Sequence, residues 1–478
     1  MRIKGIIQGT TLNPLFKIES YQVKESAGQL INGYGIAEVV RPSSTSQPCF
    51  AYREKAKKQT HFLDEIEIPN LKLRLIPIQR LPWLLCREPK DYGSIEDLWS
   101  EIKEALYYHL ELSRKEEFDI LTSWILMTWT IERFNIIPYV FFFGAWESGK
   151  TRGLECLQHL AFRGWLMPDI SEASLFRVVD SLHPTLLIDE AEALAKRPEI
   201  RALLNSGYKR GATVPRQTVT PEGTYITEWF ETFAPKALAS TELLAKTTMS
   251  RCIVFKMSKT QRKIPILLDV EWLADLRDKL LAYRFNTLLS EDSEQSEAFP
   301  ESTPLEQLAE ATGSNRLAEL FLAPYQVAPP KYKSTIMEYA QLVGIERLGE
   351  MVSTEEILVL SAILKCYDLG KIVKSLILVG DIADMINQEL SYKEHWTNRR
   401  VVEVATRLGF RKKRTNRGTA IIYDSKLIER LKKDVRYKPA FQPEEIEAPF
   451  SGNASQSSQS SPTENWLQGS ENLDKTES

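Results

Sequence analysis

Between Ser94 and Met257 the chain alternates apolar residues at helical spacing with short, unbroken apolar runs. SIEDLWSEIKEAL sets Leu98, Ile102 and Leu106 on one face behind Ser94, a cap matched three residues on by Asp97, which predicts a helix. A second helix follows through FDILTSWILMTWTIERF. IIPYVFFFG then reads as a strand buried on both faces of a parallel sheet, GAWESGK as a turn, and TRGLECLQHLAF as a helix opening at that turn. Beyond it, SEASLFRVVDSL predicts an amphipathic helix, PTLLIDE a buried strand and PEIRALLNSGYKRG another helix. TVPRQTVTPEGTYITEWFETF predicts two strands joined at PEG, and APKALAST and RCIVFKM two more. Helices alternating with such strands imply an α/β domain around a mainly parallel sheet.

The flanks differ. Residues 1–90 hold short β-type runs with proline punctuation, such as RLIPIQRLPWLL, and no chemical motif; residues 91–260 carry the α/β core, and 261–350 read as helical. Within 351–441, SLILVGDIADMIN, HWTNRRVVEVATRLGF and RKKRTNRGTAIIYD read as helix, helix and β-hairpin, a winged-helix order. Residues 442–478 are polar and serine-rich, which predicts a disordered tail.

With 478 residues, 43% of them hydrophobic, the chain can bury a sizeable core. A net charge of -3 makes no global case for nucleic acid. Locally the balance changes: between Lys393 and Tyr437 there are fourteen Lys or Arg against five Asp or Glu. The five cysteines form no CxxC pair, and five histidines offer little to complete a zinc site. The start, MRIKGIIQGTTLNPLFK, lacks the apolar core of a signal peptide, and the most apolar region, Ile120 to Phe143, is broken by Glu132, Arg133 and Pro138. A cytoplasmic protein without a membrane span is the expectation.

The turn after the apolar strand is Gly144-Ala145-Trp146-Glu147-Ser148-Gly149-Lys150-Thr151, a GxxxxGK[ST] loop between strand and helix. Its glycines let backbone N–H groups cradle phosphate, Lys150 suits the β- and γ-phosphates of ATP, and the Thr151 hydroxyl suits Mg²⁺. Ile188, the last apolar residue of a second strand, lies 38 positions after Lys150 and precedes Asp189 and Glu190. Asp189 is placed for the Mg²⁺ shell and Glu190 for deprotonating the attacking water.

APKALAST and MSRCIVFKM resemble the sensor-1 strand and the SRC arginine segment of clamp-loader-type AAA+ ATPases. That resemblance implies Ser240 or Thr241 as the sensor of the catalytic water, and Arg251 as a finger on a neighbouring subunit's γ-phosphate, hence a homo-oligomer with interfacial ATP sites. Over about Ile137 to Tyr325, SEASLFRVVDSLHPTLLIDEAE, LLNSGYKRGATVPR, FAPKALAS and RLAELFLAPYQVA resemble P-loop ATPase domains encoded by phages, plasmids and integrated elements, many of them beside primase–helicase proteins. The implied fold is an AAA+-like P-loop sheet with a helical lid, followed by a winged-helix domain. Arg316 falls where a lid arginine would reach the nucleotide. The two strands around PEG occupy the place where superfamily-3 helicases insert a DNA-gripping hairpin, although the tip here is neither basic nor aromatic.

In the basic C-terminal segment, Thr397 caps NRRVVEVATRL, whose Val401, Val404 and Leu408 face a core, leaving Asn398, Arg399, Arg400 and Arg407 for a DNA groove. Arg411, Lys412, Lys413, Arg414 and Arg417 suit a basic wing over the phosphate backbone. Three classes stay open: a replication helicase or primase-associated motor of a mobile element, an ATP-dependent DNA-binding switch, and a signalling ATPase whose winged helix contacts protein.

Overall fold

The computed structural model describes residues 5–6, 21–31, 33–55, 57–167, 172–219, 223–260, 262–290, 302–351, 354–388 and 395–433. The serine-rich tail and the hairpin turn Thr220-Pro221-Glu222 lie outside these residues. The chain divides into two compact units between Glu346 and Arg347.

The centre of the first unit is a five-stranded, wholly parallel sheet in the order Gly164–Leu166, Thr185–Ile188, Lys236–Ser240, Tyr139–Gly144, Cys252–Met257. Alternate side chains of Tyr139–Gly144 enter two cores, as a pleated strand covered on both faces requires. Val140 and Phe142 pack with the helices Ile95–His109, Lys115–Trp129, Lys150–Leu160 and Val270–Leu288. Tyr139 and Phe141 pack on the other face with Glu172–Leu182 and Pro198–Ser206. Ser94 and Asp97 form the reciprocal capping box that their spacing predicts.

The strand ending at Ser240 is inserted between the phosphate-loop strand and the strand ending at Ile188, so three strand ends open on one side of the sheet. This is the place where an open parallel sheet offers a crevice beyond the carboxyl ends of its strands. Thr213–Val219 and Tyr225–Glu231 pair antiparallel as a separate two-stranded ribbon. One face packs on the helix Glu172–Leu182, with Arg216 over the Phe176 ring; the other exposes Tyr225 and Trp229.

Strands between Gly5 and Pro77 form two four-stranded sheets, one of them an antiparallel meander from Gly28 to Leu63. They join the same core through buried charge. Glu38 receives Arg163 Nη2 at 2.8 Å and Arg284 Nε at 2.9 Å, while Arg284 also donates to Glu132 at 2.6 and 2.9 Å. The helices Ser302–Thr312, Asn315–Val327 and Pro330–Met351 follow.

In the second unit, the helix Thr354–Asp368 leads to the strand Leu376–Leu378, the helices Val379–Asn387 and Asn398–Arg407, the hairpin Lys412–Thr415 and Gly418–Ile422, and the helix Ser425–Lys433. The strands form an antiparallel sheet with Gly418–Ile422 in the middle. Val401, Val404 and Leu408 are buried in its core. Among the described residues no helix is long and apolar enough to cross a membrane.

Candidate nucleotide site

The loop from Gly144 to Thr151 depends on glycine at two points. A Cβ on Gly144 would stand 2.3 Å from the Met257 carbonyl oxygen, and Gly149 takes φ 89° as it caps the helix Lys150–Leu160. Between them Glu147 also has a positive φ, 59°, despite its side chain, and meets Lys259 Nζ at 3.2 Å. Such strain in a loop is characteristic of functional turns. Lys150 Nζ donates to the Ala145 carbonyl at 2.7 Å, across its own loop.

A cavity of ≈ 550 Å³ opens beside this loop and brings together Lys150, Thr151, Asp189, Glu190, Ser240 and Thr241. Ala145 is in the loop, and Trp146 projects from its apex with 82% of its surface exposed. Thr151 Oγ1 donates to Asp189 Oδ2 at 2.9 Å, while Asp189 Oδ1 accepts the Glu190 N–H at 2.9 Å. Glu190 sits at φ 48° with its side chain exposed. The cavity is within the range of a nucleotide-sized ligand. Its chemistry fits ATP and Mg²⁺: Gly144 lets the loop pass close against the Met257 carbonyl, Ser148 Oγ is buried with no hydrogen-bond partner, and Thr151 with Asp189 supplies the oxygen donors that a hard cation takes.

The two polar residues at the third strand end do not point freely at the cavity. Ser240 Oγ donates to the Glu242 carbonyl at 2.6 Å and accepts the Glu242 N–H at 3.0 Å; Thr241 Oγ1 donates to Glu192 Oε1 at 3.0 Å. Glu192 was not a candidate from the sequence, although DEAE carries the signal: a third acid one helical turn beyond Asp189. Burial alone would raise its carboxyl, but hydrogen bonds from Ser240, from its own backbone and from Thr241 hold it below the ordinary range. Thr241 thus holds Glu192 on the cavity wall, while Ser240 closes on the Glu242 backbone.

Arg251 and Arg316 lie elsewhere. The Arg251 carbonyl accepts the N–H of Tyr139, the first residue of the strand whose last residue is Gly144. Six residues of strand put Arg251 roughly 17 Å from the loop, beyond the reach of its own side chain. Arg316 corrects the expectation of a lid arginine over the same chain's phosphates: it stacks 4.3 Å over Tyr208, the ring that Arg251 meets at 4.8 Å, and pairs with Glu319 at 2.8 Å. Tyr208 was also missed, since nothing in NSGYKRG marks it as a platform.

In the second unit Arg399, Arg411, Lys412, Lys413, Arg414 and Arg417 are exposed, as is Asn398. Arg400 and Arg407 are exposed as well, but each has a carboxylate partner. Both donate to Glu355, at 2.6 and 2.8 Å, and Arg400 also stacks over Trp396 at 4.2 Å. The two arginines hold the Glu355 carboxyl below its ordinary range.

No family model and no curated protein matches this chain. Solved structures similar to it include the apo C-terminal region of NrS-1, with 10% identity over 81% of this chain and 96% of that one and a TM-score of 0.33. Another is the active helicase Cch of SCCmec type IV, at 10% identity, 85% and 80% coverage and a TM-score of 0.38. The JCV helicase, bound to a small acetamide, gives 14%, 55% and 64%, and 0.23. At such identity, function must be read from the chain's own side chains.

Proposed function

We propose that this chain is an oligomeric ATPase of AAA+-like type that acts on DNA. What carries the reading is the hydrogen bond between Thr151 and Asp189, because it joins a phosphate-type loop to the acid at the end of a neighbouring strand. Mg²⁺ held through that pair would neutralise charge on the β- and γ-phosphate oxygens. Lys150 exchanges the Ala145 carbonyl for phosphate. Glu190 accepts a proton from water as the water oxygen bonds to the γ-phosphorus and the bond to the bridging oxygen breaks, leaving ADP and phosphate.

The DNA role rests on the second unit. Its order of helix, strand, helix, helix and hairpin supports a winged-helix reading, in which Arg411 to Arg417 along the hairpin would contact phosphate. A replication helicase or primase-associated motor of a mobile element is the reading we prefer. The alternative, an ATP-dependent DNA-binding switch, is favoured by one observation: Arg216, the only basic residue on the described strands of the ribbon, turns inward to Phe176. ATP turnover with and without single- and double-stranded DNA, beside Lys150→Ala, tests both. DNA-stimulated turnover lost in the variant supports the motor; slow turnover indifferent to DNA, with ATP-dependent site binding, supports the switch; no turnover in the unaltered protein overturns the ATPase.

A further inference from the structure

A second cavity, of ≈ 450 Å³, lies in the first unit where the N-terminal sheets meet the helix Val270–Leu288. Arg41, Arg80, Arg87 and Arg277 line it, and no Asp or Glu is among its described lining residues. Guanidinium groups gathered around one cavity repel one another unless an anion stands between them. The candidate nucleotide cavity is the reverse, with Lys150 against Glu147, Asp189, Glu190 and Glu192.

Only one of the four arginines is neutralised by a carboxylate among the described residues. Arg87 donates to Asp278 at 2.6 Å and reaches Glu271 at 3.3 Å. Arg277 is 8% exposed, yet Nη1 and Nη2 meet neutral acceptors, the carbonyl oxygens of His159 at 3.2 Å and Leu85 at 3.4 Å, and Nε is buried with no hydrogen-bond partner. A buried charge without a counter-charge is costly. Arg41 and Arg80 are exposed and have no ion pair among the described residues. The backbone fixes where Arg41 stands: its N–H donates to the Cys86 carbonyl at 2.8 Å, and the turn that follows is closed by the Ser43 N–H on Ser46 Oγ at 2.9 Å.

Three uncompensated cations select the charge of what they bind. A phosphodiester within a strand brings one negative charge and carries a sugar on either side. A terminal phosphate brings nearly two near pH 7, and it can enter a concave site end-on. Its oxygens match the planar fork of arginine. Leu81 and Leu84 on the same wall offer apolar surface to the group the phosphate is attached to, and the volume suits a nucleotide.

We propose that this cavity is a second anion site, which takes the terminal phosphate of a nucleotide, either free or at the 5′ end of a strand. It is separate from the candidate ATP cavity. His159, whose carbonyl Arg277 meets, stands nine positions after Lys150 in the same helix, about 13 Å along its axis. Both cavities can be filled together, and this site stands whether or not the ATPase reading does. Arg41 and Arg80 belong to the N-terminal module, which thereby gains a chemical role.

Melting of the full-length protein with AMP, and fluorescence anisotropy of 3′-labelled oligothymidylate bearing a 5′-phosphate or a 5′-hydroxyl, test this. Because Arg41 and Arg80 are exposed, the double variant Arg41→Ala/Arg80→Ala is expected to fold and to keep the parent's DNA-free ATP turnover. AMP that raises the melting temperature of the parent and of Lys150→Ala by a few degrees, but not that of the double variant, identifies a free nucleotide as the ligand. A 5′-phosphate that tightens oligonucleotide binding about tenfold in the parent and not in the double variant identifies a strand end. If the double variant loses no response that the parent shows, the site is overturned. A parent that gives these responses without turning over ATP loses the ATPase reading alone.

Discussion

Thr151 and Asp189, 38 positions apart in the chain, are joined by a 2.9 Å hydrogen bond from Oγ1 to Oδ2. Two residues acting on one ion behave as a unit, so their losses should not multiply. Thr151→Ala and Asp189→Asn are each expected to reduce ATP turnover by about 100-fold or more, and the double variant by little beyond the worse of the two. Steady-state phosphate release decides; losses that multiply would separate the two roles.

Glu147, within the loop that would hold phosphate, is held at φ 59° and lines the cavity. Its contact with Lys259 is solvent-exposed on both sides and contributes little. Glu147→Gly should therefore raise the melting temperature by a few degrees, corresponding to about 1 kcal/mol of relieved backbone strain, and lower the KM for ATP. A lower melting temperature with a higher KM would show that Glu147 is required where it stands.

Glu38, Arg163 and Arg284, all nearly inaccessible, and Glu132, about a third exposed, tie the N-terminal sheets to the α/β core. Removing Glu38 leaves the buried Arg163 without its carboxylate and Arg284 with Glu132 alone. Glu38→Gln is expected to lower unfolding free energy by about 3 kcal/mol or more in urea denaturation. Burial raises the Glu132 carboxyl, but Arg284 outweighs it and holds the group below its usual 4.5. The stability it contributes is thus complete above that value and lost as pH falls through the lower, folded value. A Glu38→Gln protein as stable as the parent would show that the tie does not matter.

Lys236 is fully buried, with carbonyl oxygens of Gly207, Thr232 and Ala234 accepting from Nζ at 3.3, 3.2 and 2.9 Å. Burial pushes its pKa from the usual 10.5 down to about 7. Between these values the unfolded chain binds the proton that the folded chain has released. This group should therefore make stability rise from about pH 7 towards 10.5, with no slope below that window. Lys236→Met should abolish the rise between pH 7.5 and 9 in paired denaturation curves; an unchanged slope would place its origin elsewhere.

Glu355 occupies Arg400 and Arg407 together. Glu355→Gln should release both and tighten DNA binding at low salt, with a log–log salt dependence steeper by about one to two units. Fluorescence anisotropy across a salt series measures it. Unchanged affinity and slope would mean that this face of the helix Asn398–Arg407 does not meet phosphate.

What the sequence by itself determined is local and contiguous. The capping box at Ser94 and Asp97, the doubly buried strand at Tyr139–Gly144, the glycine loop and the strand before Asp189 each follow from the spacing of neighbours within a few residues. Lys150, Thr151, Asp189 and Glu190 were legible as candidates for a related reason: Asp189 and Glu190 follow their strand directly, Lys150 and Thr151 follow theirs across the glycine loop, and strand ends in a parallel sheet converge. Only the tertiary structure decided which charges meet across the chain. Glu192 is held by the Thr241 hydroxyl 49 residues away, Arg316 joins Arg251 on Tyr208, Glu38 finds Arg284, and Arg400 and Arg407 turn to Glu355. Hydrophobic period sets the face of an element that is buried, but a long charged side chain goes to whichever partner the packed elements bring within its reach. That distance is a property of the fold and leaves no periodic trace in the chain.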